Sequence, residues 1–174
     1  MKFVLNDGGR AMCGFEGSTG DCVVRAVAIA TEQNYEDVYH ALGEGCREQR
    51  IVKRGKRKAS ARNGVNVGRK WFKDYMTGLG WKWTPTMLIG SGCKVHLHDG
   101  ELPMGRLIVS VSKHYTTVVD GVVHDTHDPQ REIAYFEPDR GQELKANQGR
   151  NQNGVFTRSR RCVYGYWSKI ENQA

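Results

Sequence analysis

The spacing of the apolar residues changes once along this chain, at Gly80, and that change restricts the fold more than any other feature. Before it they recur with helical spacing; after it they recur mostly at every second residue. The segment Cys22-Val23-Val24-Arg25-Ala26-Val27-Ala28-Ile29-Ala30-Thr31 is small or apolar almost throughout, which predicts a helix buried on most of its surface. Val and Ile also suit strands, but Ala26, Ala28, Ala30 and the length favour helix. Thr19 or Asp21 is placed to cap its start. A second helix opens at Asn34 as cap, with Glu36 and Asp37 at its positive end. Tyr35, Val38, Tyr39 and Leu42 form its stripe, and Gly43 and Gly45 are expected to end it. A third helix is expected from about Val67 to Leu79, burying Trp71, Phe72, Tyr75 and Leu79 and stopped by Gly78 and Gly80.

Beyond Gly80, Trp81-Lys82-Trp83 and Met87-Leu88-Ile89 read as a strand interrupted by Pro85. Lys94 to His98 alternates polar and apolar, and Arg106 to Val111 reads as a central strand. His114–Val119 and Val122–Thr126 are two strands joined by Asp120-Gly121, a type I′ hairpin signal. Cys162 to Trp167 closes the set. Residues 1–20 are glycine-rich and aperiodic, an entry segment and loop, and 139–160 read as a polar surface excursion. Helices first and strands second predict an α+β fold, the N-terminal helices packed on an antiparallel sheet. With 174 residues and no linker or repeat, one domain spanning 1–174 is expected.

Charge and cysteine usage bound the setting. Nothing approaches the ~20 apolar residues of a membrane span, and the N-terminus turns polar too soon for a signal peptide. The five cysteines are irregularly spaced without a CxxC, so no disulfide framework is expected and a reducing cytoplasm fits. The formal net charge is +7. Much of it lies in a basic loop at about 47–62, with Arg50, Lys53, Arg54, Lys56, Arg57 and Lys58. Such a loop is either a solvated surface or a grip for nucleic acid or an acidic protein. No aromatic residue interrupts it, so it encodes no stacking platform for single strands.

Chemistry concentrates on three residues. Cys22 opens a buried helix, where unpaired N–H groups and the helix dipole favour a thiolate and can hold an oxyanion; it also reads as a small core residue. His114 opens the hairpin. A two-residue Asp120-Gly121 turn pairs Val119 with Val122, Thr116 with Asp125 and His114 with His127. Asp125 therefore shares a face with His114, one diagonal step away, and can orient its ring. Asp128 falls on the other face unless a bulge intervenes and is the alternative. A thiol, an imidazole and a carboxylate are the parts of an acyl-transfer site.

Asp21-Cys22-Val23-Val24-Arg25-Ala26, followed by Ile29-Ala30-Thr31, resembles the nucleophile helix of papain-like cysteine peptidases. It is most similar to small bacterial and phage proteins with a D-C-x-x-R-A helix. Leu102–Val109, His114-Tyr115 and Val119–Thr126 resemble the His-bearing hairpin of the same proteins. The leader peptidase domains of bacteriocin exporters share the Cys…His…Asp order. The resemblance implies a papain-like fold, a bacterial or phage source, and a host-cytoplasmic location if phage-encoded. It implies Cys22 as nucleophile, His114 as base and Asp125 or Asp128 as orienter. Those families usually carry a Gln about six residues before the Cys, where this chain has Glu16. An ionised Glu cannot donate a hydrogen bond, so the oxyanion would rely on the Cys22 N–H with Ser18 or Thr19.

The expected function is a cysteine hydrolase of peptide or amide bonds, acting through a thioester without a cofactor. A deamidase or acyltransferase would use the same triad. The rival is a non-catalytic papain-fold protein binding nucleic acid or an acidic host protein through the basic surface. Cys93, His96, His98, His124, Asp125, His127 and Asp128 include metal-ligand types. Strand alternation separates Cys93 from the two histidines after it, and His124 from His127, so no metal site is expected. Arg25, a charge in a buried run, needs a partner, with Glu16 and Asp21 the candidates. The oligomeric state is not encoded in any feature of the chain.

Overall fold

A computed structural model describes residues 1–48, 60–131, 135–136, 149–150, 156–157 and 160–170. Three helices, α1 (Cys22–Thr31), α2 (Tyr35–Glu48) and α3 (Lys70–Gly78), accompany a six-stranded sheet. Its strands are β1 (Lys2–Leu5), β2 (Trp81–Pro85), β3 (Arg106–Val111), β4 (His114–Val119), β5 (Val122–Asp125) and β9 (Val163–Lys169). They lie in the order β1-β5-β4-β3-β9-β2. Three two-residue strands, β6 (Tyr135–Phe136), β7 (Gly149–Arg150) and β8 (Phe156–Thr157), pair separately, the last two inside the expected surface excursion. The fold is α+β. The basic loop residues Arg50, Lys53, Arg54, Lys56, Arg57 and Lys58 lie outside the described residues. Among the described residues no helix is long and apolar enough to cross a membrane.

The hairpin forms in the expected register, with Val119 opposite Val122 and Thr117 opposite His124. Asp120 (φ 47) and Gly121 (φ 78) supply the two left-handed residues of its turn. The sheet divides two cores. On one side α1 lies against β4, and Ala26, Ala28 and Val27 pack with Tyr35, Leu42, Phe72, Ile108 and Trp167. Alanines let the helix backbone come close enough for the buried Thr117 hydroxyl to donate to the Ala26 carbonyl at 2.9 Å. On the other side Leu107, Val109, Val118, Val123 and Val163 are covered by Leu97.

Several expectations are corrected. The sheet is mixed, because β1 joins β5 in parallel, Lys2 opposite Val122 through Leu5 opposite Asp125. All four β1 residues are exposed, so the strand is held by main-chain pairing and carries no alternation to read. α2 runs through Gly43 and Gly45 to Glu48. Gly45 serves close approach instead of a stop: a Cβ there would lie 2.3 Å from the Trp71 ring. α3 begins at Lys70, not Val67, and buries Phe72 and Met76 most deeply. Met87–Ile89 and Lys94–His98 form no strand; the latter contributes a single bridge, His96 to Cys162.

Against the expectation of no disulfide framework, the structure holds one bridge. Cys93 and Cys162, 69 positions apart, form a disulfide with a Cα–Cα separation of 5.8 Å. They meet because the chain after Cys93 is laid along the start of β9, with Val163 N–H donating to Val95 C=O at 2.9 Å. Cys13, Cys22 and Cys46 are free thiols, and thiol count no longer points to a reducing compartment. Closing so long a loop removes much unfolded-state entropy. Reduction, or Cys93→Ser with Cys162→Ser, is expected to cost about 2–4 kcal/mol. Urea unfolding with and without reductant measures it; coincident curves would show that the bridge contributes nothing.

Candidate active site

The site forms where β4 begins and β5 ends, beside the N-terminus of α1. Its first intrahelical bond runs from Arg25 N–H to Asp21 C=O at 3.1 Å, so the N–H groups of Cys22 and Val23 precede the hydrogen-bonded ladder. Asp21 stands at the cap position, yet its side chain makes no capping bond. It is 1 % exposed and accepts from Arg10 Nε at 2.9 Å, from the Tyr35 hydroxyl at 2.5 Å and from Arg25 Nη1. Two guanidiniums outcompete a neutral peptide N–H for the carboxylate. Burial pushes the Asp21 carboxyl up, but the bond from Tyr35 and the charges of Arg25 and Arg10 outweigh it and hold it low. Of the two partners expected for Arg25, it is Asp21 that binds it. Arg10 and Tyr35 were not anticipated, since nothing local ties them to Asp21.

Cys22, His114 and Asp125 converge. His114 Nε2 lies 2.6 Å from Asp125 Oδ2, and Cys22 and His114 line the same cleft, close enough for each to shift the titration of the other. Asp125 is 3 % exposed. Its Oδ1 accepts from the Thr126 N–H at 2.7 Å and stands 3.9 Å from Arg25 Nη2. Burial lowers the basicity of His114, but hydrogen bonds and charge from Asp125 and Cys22 reverse this and raise its pKa to about 9. Burial pushes the Cys22 thiol up; His114, the Tyr115 N–H and the Arg25 charge pull it down further, so the net shift is downward. Both shifts favour passage of the thiol proton to the imidazole. Asp125 is held below its usual range, burial being outweighed mainly by His114.

Asp128, the alternative orienter, is exposed and accepts from the Gln130 N–H at 2.9 Å. Ser18 and Thr19 border the cleft in front of Cys22; Glu16 is exposed and does not. Glu16 offers only its carbonyl, to Arg10 Nη2 at 2.8 Å. The cleft, about 880 Å³, runs between residues 17–20, residues 63–67 and the β3–β4 turn. Cys93, His96 and His98 do not converge: Cys93 is in the disulfide and His96 Nδ1 pairs with Glu101 at 2.9 Å. His127, which the hairpin register sets opposite His114, packs its ring 4.8 Å from that of His114. The hairpin register that puts Asp125 beside His114 holds the signal for it, since 125 and 127 share a strand face.

Fold and site together define an α+β protein with a Cys–His–Asp constellation at the head of a buried helix. The chain matches no family model, no curated protein and no solved structure.

Proposed function

We propose that this protein is a papain-like cysteine hydrolase that cleaves a peptide or amide bond. The observation that carries the reading is that Cys22, at the head of α1, and His114 line one cleft while His114 Nε2 lies 2.6 Å from the buried Asp125 carboxylate. The Cys22 thiolate attacks the carbonyl carbon, and the Cys22 N–H receives the developing oxyanion. His114 gives its proton to the leaving amine, which departs, and a thioester remains. His114 then takes a proton from water, which attacks the thioester and frees the acid and the thiol. Asp125 keeps the ring oriented throughout. Deamidation or acyl transfer would differ only in the leaving group or the acceptor.

Incubation with acyl-capped peptides and amides, followed by mass spectrometry, is expected to find an acyl adduct on Cys22 in wild type and none in Cys22→Ser. Turnover needs a thiolate and a protonated His114 together. It should fall as acid protonates Cys22, and again as pH rises through about 9, where His114 loses its proton. A rate still rising at pH 10 would contradict the assigned acid. The charge of +7 favours a second reading, a papain-fold binder of nucleic acid or an acidic host protein. Salt-sensitive retention on DNA with no adduct from any peptide or amide would select it.

A further inference from the structure

We infer that His114, Asp125 and His127 form a binding site for a zinc-type divalent cation, whose occupancy disables His114. One ligand atom from each lies within 4.8 Å of the other two. Two imidazoles and one carboxylate are a donor set that zinc accepts with a fourth position left open, here toward the cleft that His127 borders. The surroundings already orient these ligands. The Thr126 N–H holds Asp125 Oδ1 at 2.7 Å and leaves Oδ2 directed at the ring. Second-shell bonds of this kind fix ligand orientation in metal sites. His127 is exposed, so an ion can enter from solvent and the third ligand can adjust by side-chain rotation.

An ion at this point uses the Nε2 lone pair and displaces the proton shared with Asp125, which leaves to water. His114 can then no longer pass a proton between thiol and leaving group. This consequence rests on the hydrolase reading; the binding itself does not. His127 is the residue that separates the two, because it is needed for the ion and takes no step in the proposed hydrolysis.

The test is equilibrium dialysis of the full chain against Zn²⁺, with Co²⁺ absorption reporting coordination. One equivalent is expected in wild type, in Cys22→Ser and in Asp128→Ala. His127→Ala, an exposed change, should weaken binding at least tenfold with an unchanged circular dichroism spectrum. Equal affinity in His127→Ala, or no binding at tens of micromolar Zn²⁺, would overturn the site. Loss of binding in Cys22→Ser would also overturn it, since the thiol would then be a ligand. Dialysis on Cys22→Ser contains no acyl chemistry, so failure of the hydrolase reading leaves the result intact. Where turnover is measurable, zinc should inhibit wild type and spare His127→Ala.

Discussion

At pH 6, iodoacetamide is expected to alkylate Cys22 about ten- to a hundredfold faster than Cys13 or Cys46. An ordinary thiol with a pKa near 8.5 is only about 0.3 % thiolate at that pH. The Cys22 thiol is lowered despite burial, by His114, the Tyr115 N–H and Arg25, whereas burial alone pushes Cys46 up. His114→Ala removes the largest compensating partner and leaves the burial. Thiolate at acidic pH falls as the thiol pKa rises, so slower labelling is expected at Cys22 only. Asp125→Asn should give a smaller drop, because its effect passes through the ring. Peptide mapping after timed labelling separates the three thiols. Uniform slow labelling, or a His114→Ala protein that labels like wild type, would dissolve the thiolate–imidazolium pair and with it the proposed mechanism.

Asp21→Ala is expected to cost about 3–5 kcal/mol of stability, the range for removing one partner of a buried ion pair. The carboxylate is 1 % exposed and Arg25 is 8 % exposed. Its removal leaves the Arg25 charge with only the 3.9 Å approach to Asp125 and strands the Tyr35 hydroxyl. Arg10→Ala removes a more exposed partner and should cost less. Because the Asp21 carboxyl is held low in the folded state, its contribution is complete above pH ~4. It is lost as pH falls through the lowered value. The decisive measurement is the urea midpoint of Asp21→Ala at pH 7, and a loss under 1 kcal/mol would show that the network is not structural. Asp21 also precedes Cys22, so the same variant should slow Cys22 alkylation by moving the head of α1.

Much of this was readable along the chain because it is local. Helical spacing up to Leu79 and the Asp120-Gly121 turn depend on neighbours a few positions apart. The hairpin register alone brings Asp125 to His114, and an apolar run opening with Cys22 puts that thiol at a helix start. What failed was non-local or carried no pattern. β1 pairs through its backbone with four exposed side chains, so no alternation announces it. Gly45 looks like a helix stop until Trp71, from another helix, is seen to need the space. Cys93 and Cys162 read as unrelated thiols because 69 residues separate them.

The sequence by itself therefore determined the three helices, the central and hairpin strands, the pairing of the hairpin, and the candidacy of Cys22, His114 and Asp125, since short-range sterics and periodicity decide those. Only the tertiary structure decided that Asp21 serves Arg10, Arg25 and Tyr35 in place of its helix end, and that β1 makes the sheet mixed. Each depends on which distant groups the fold brings together, and in the buried volume around Asp21 charge pairing and desolvation outweigh local preference.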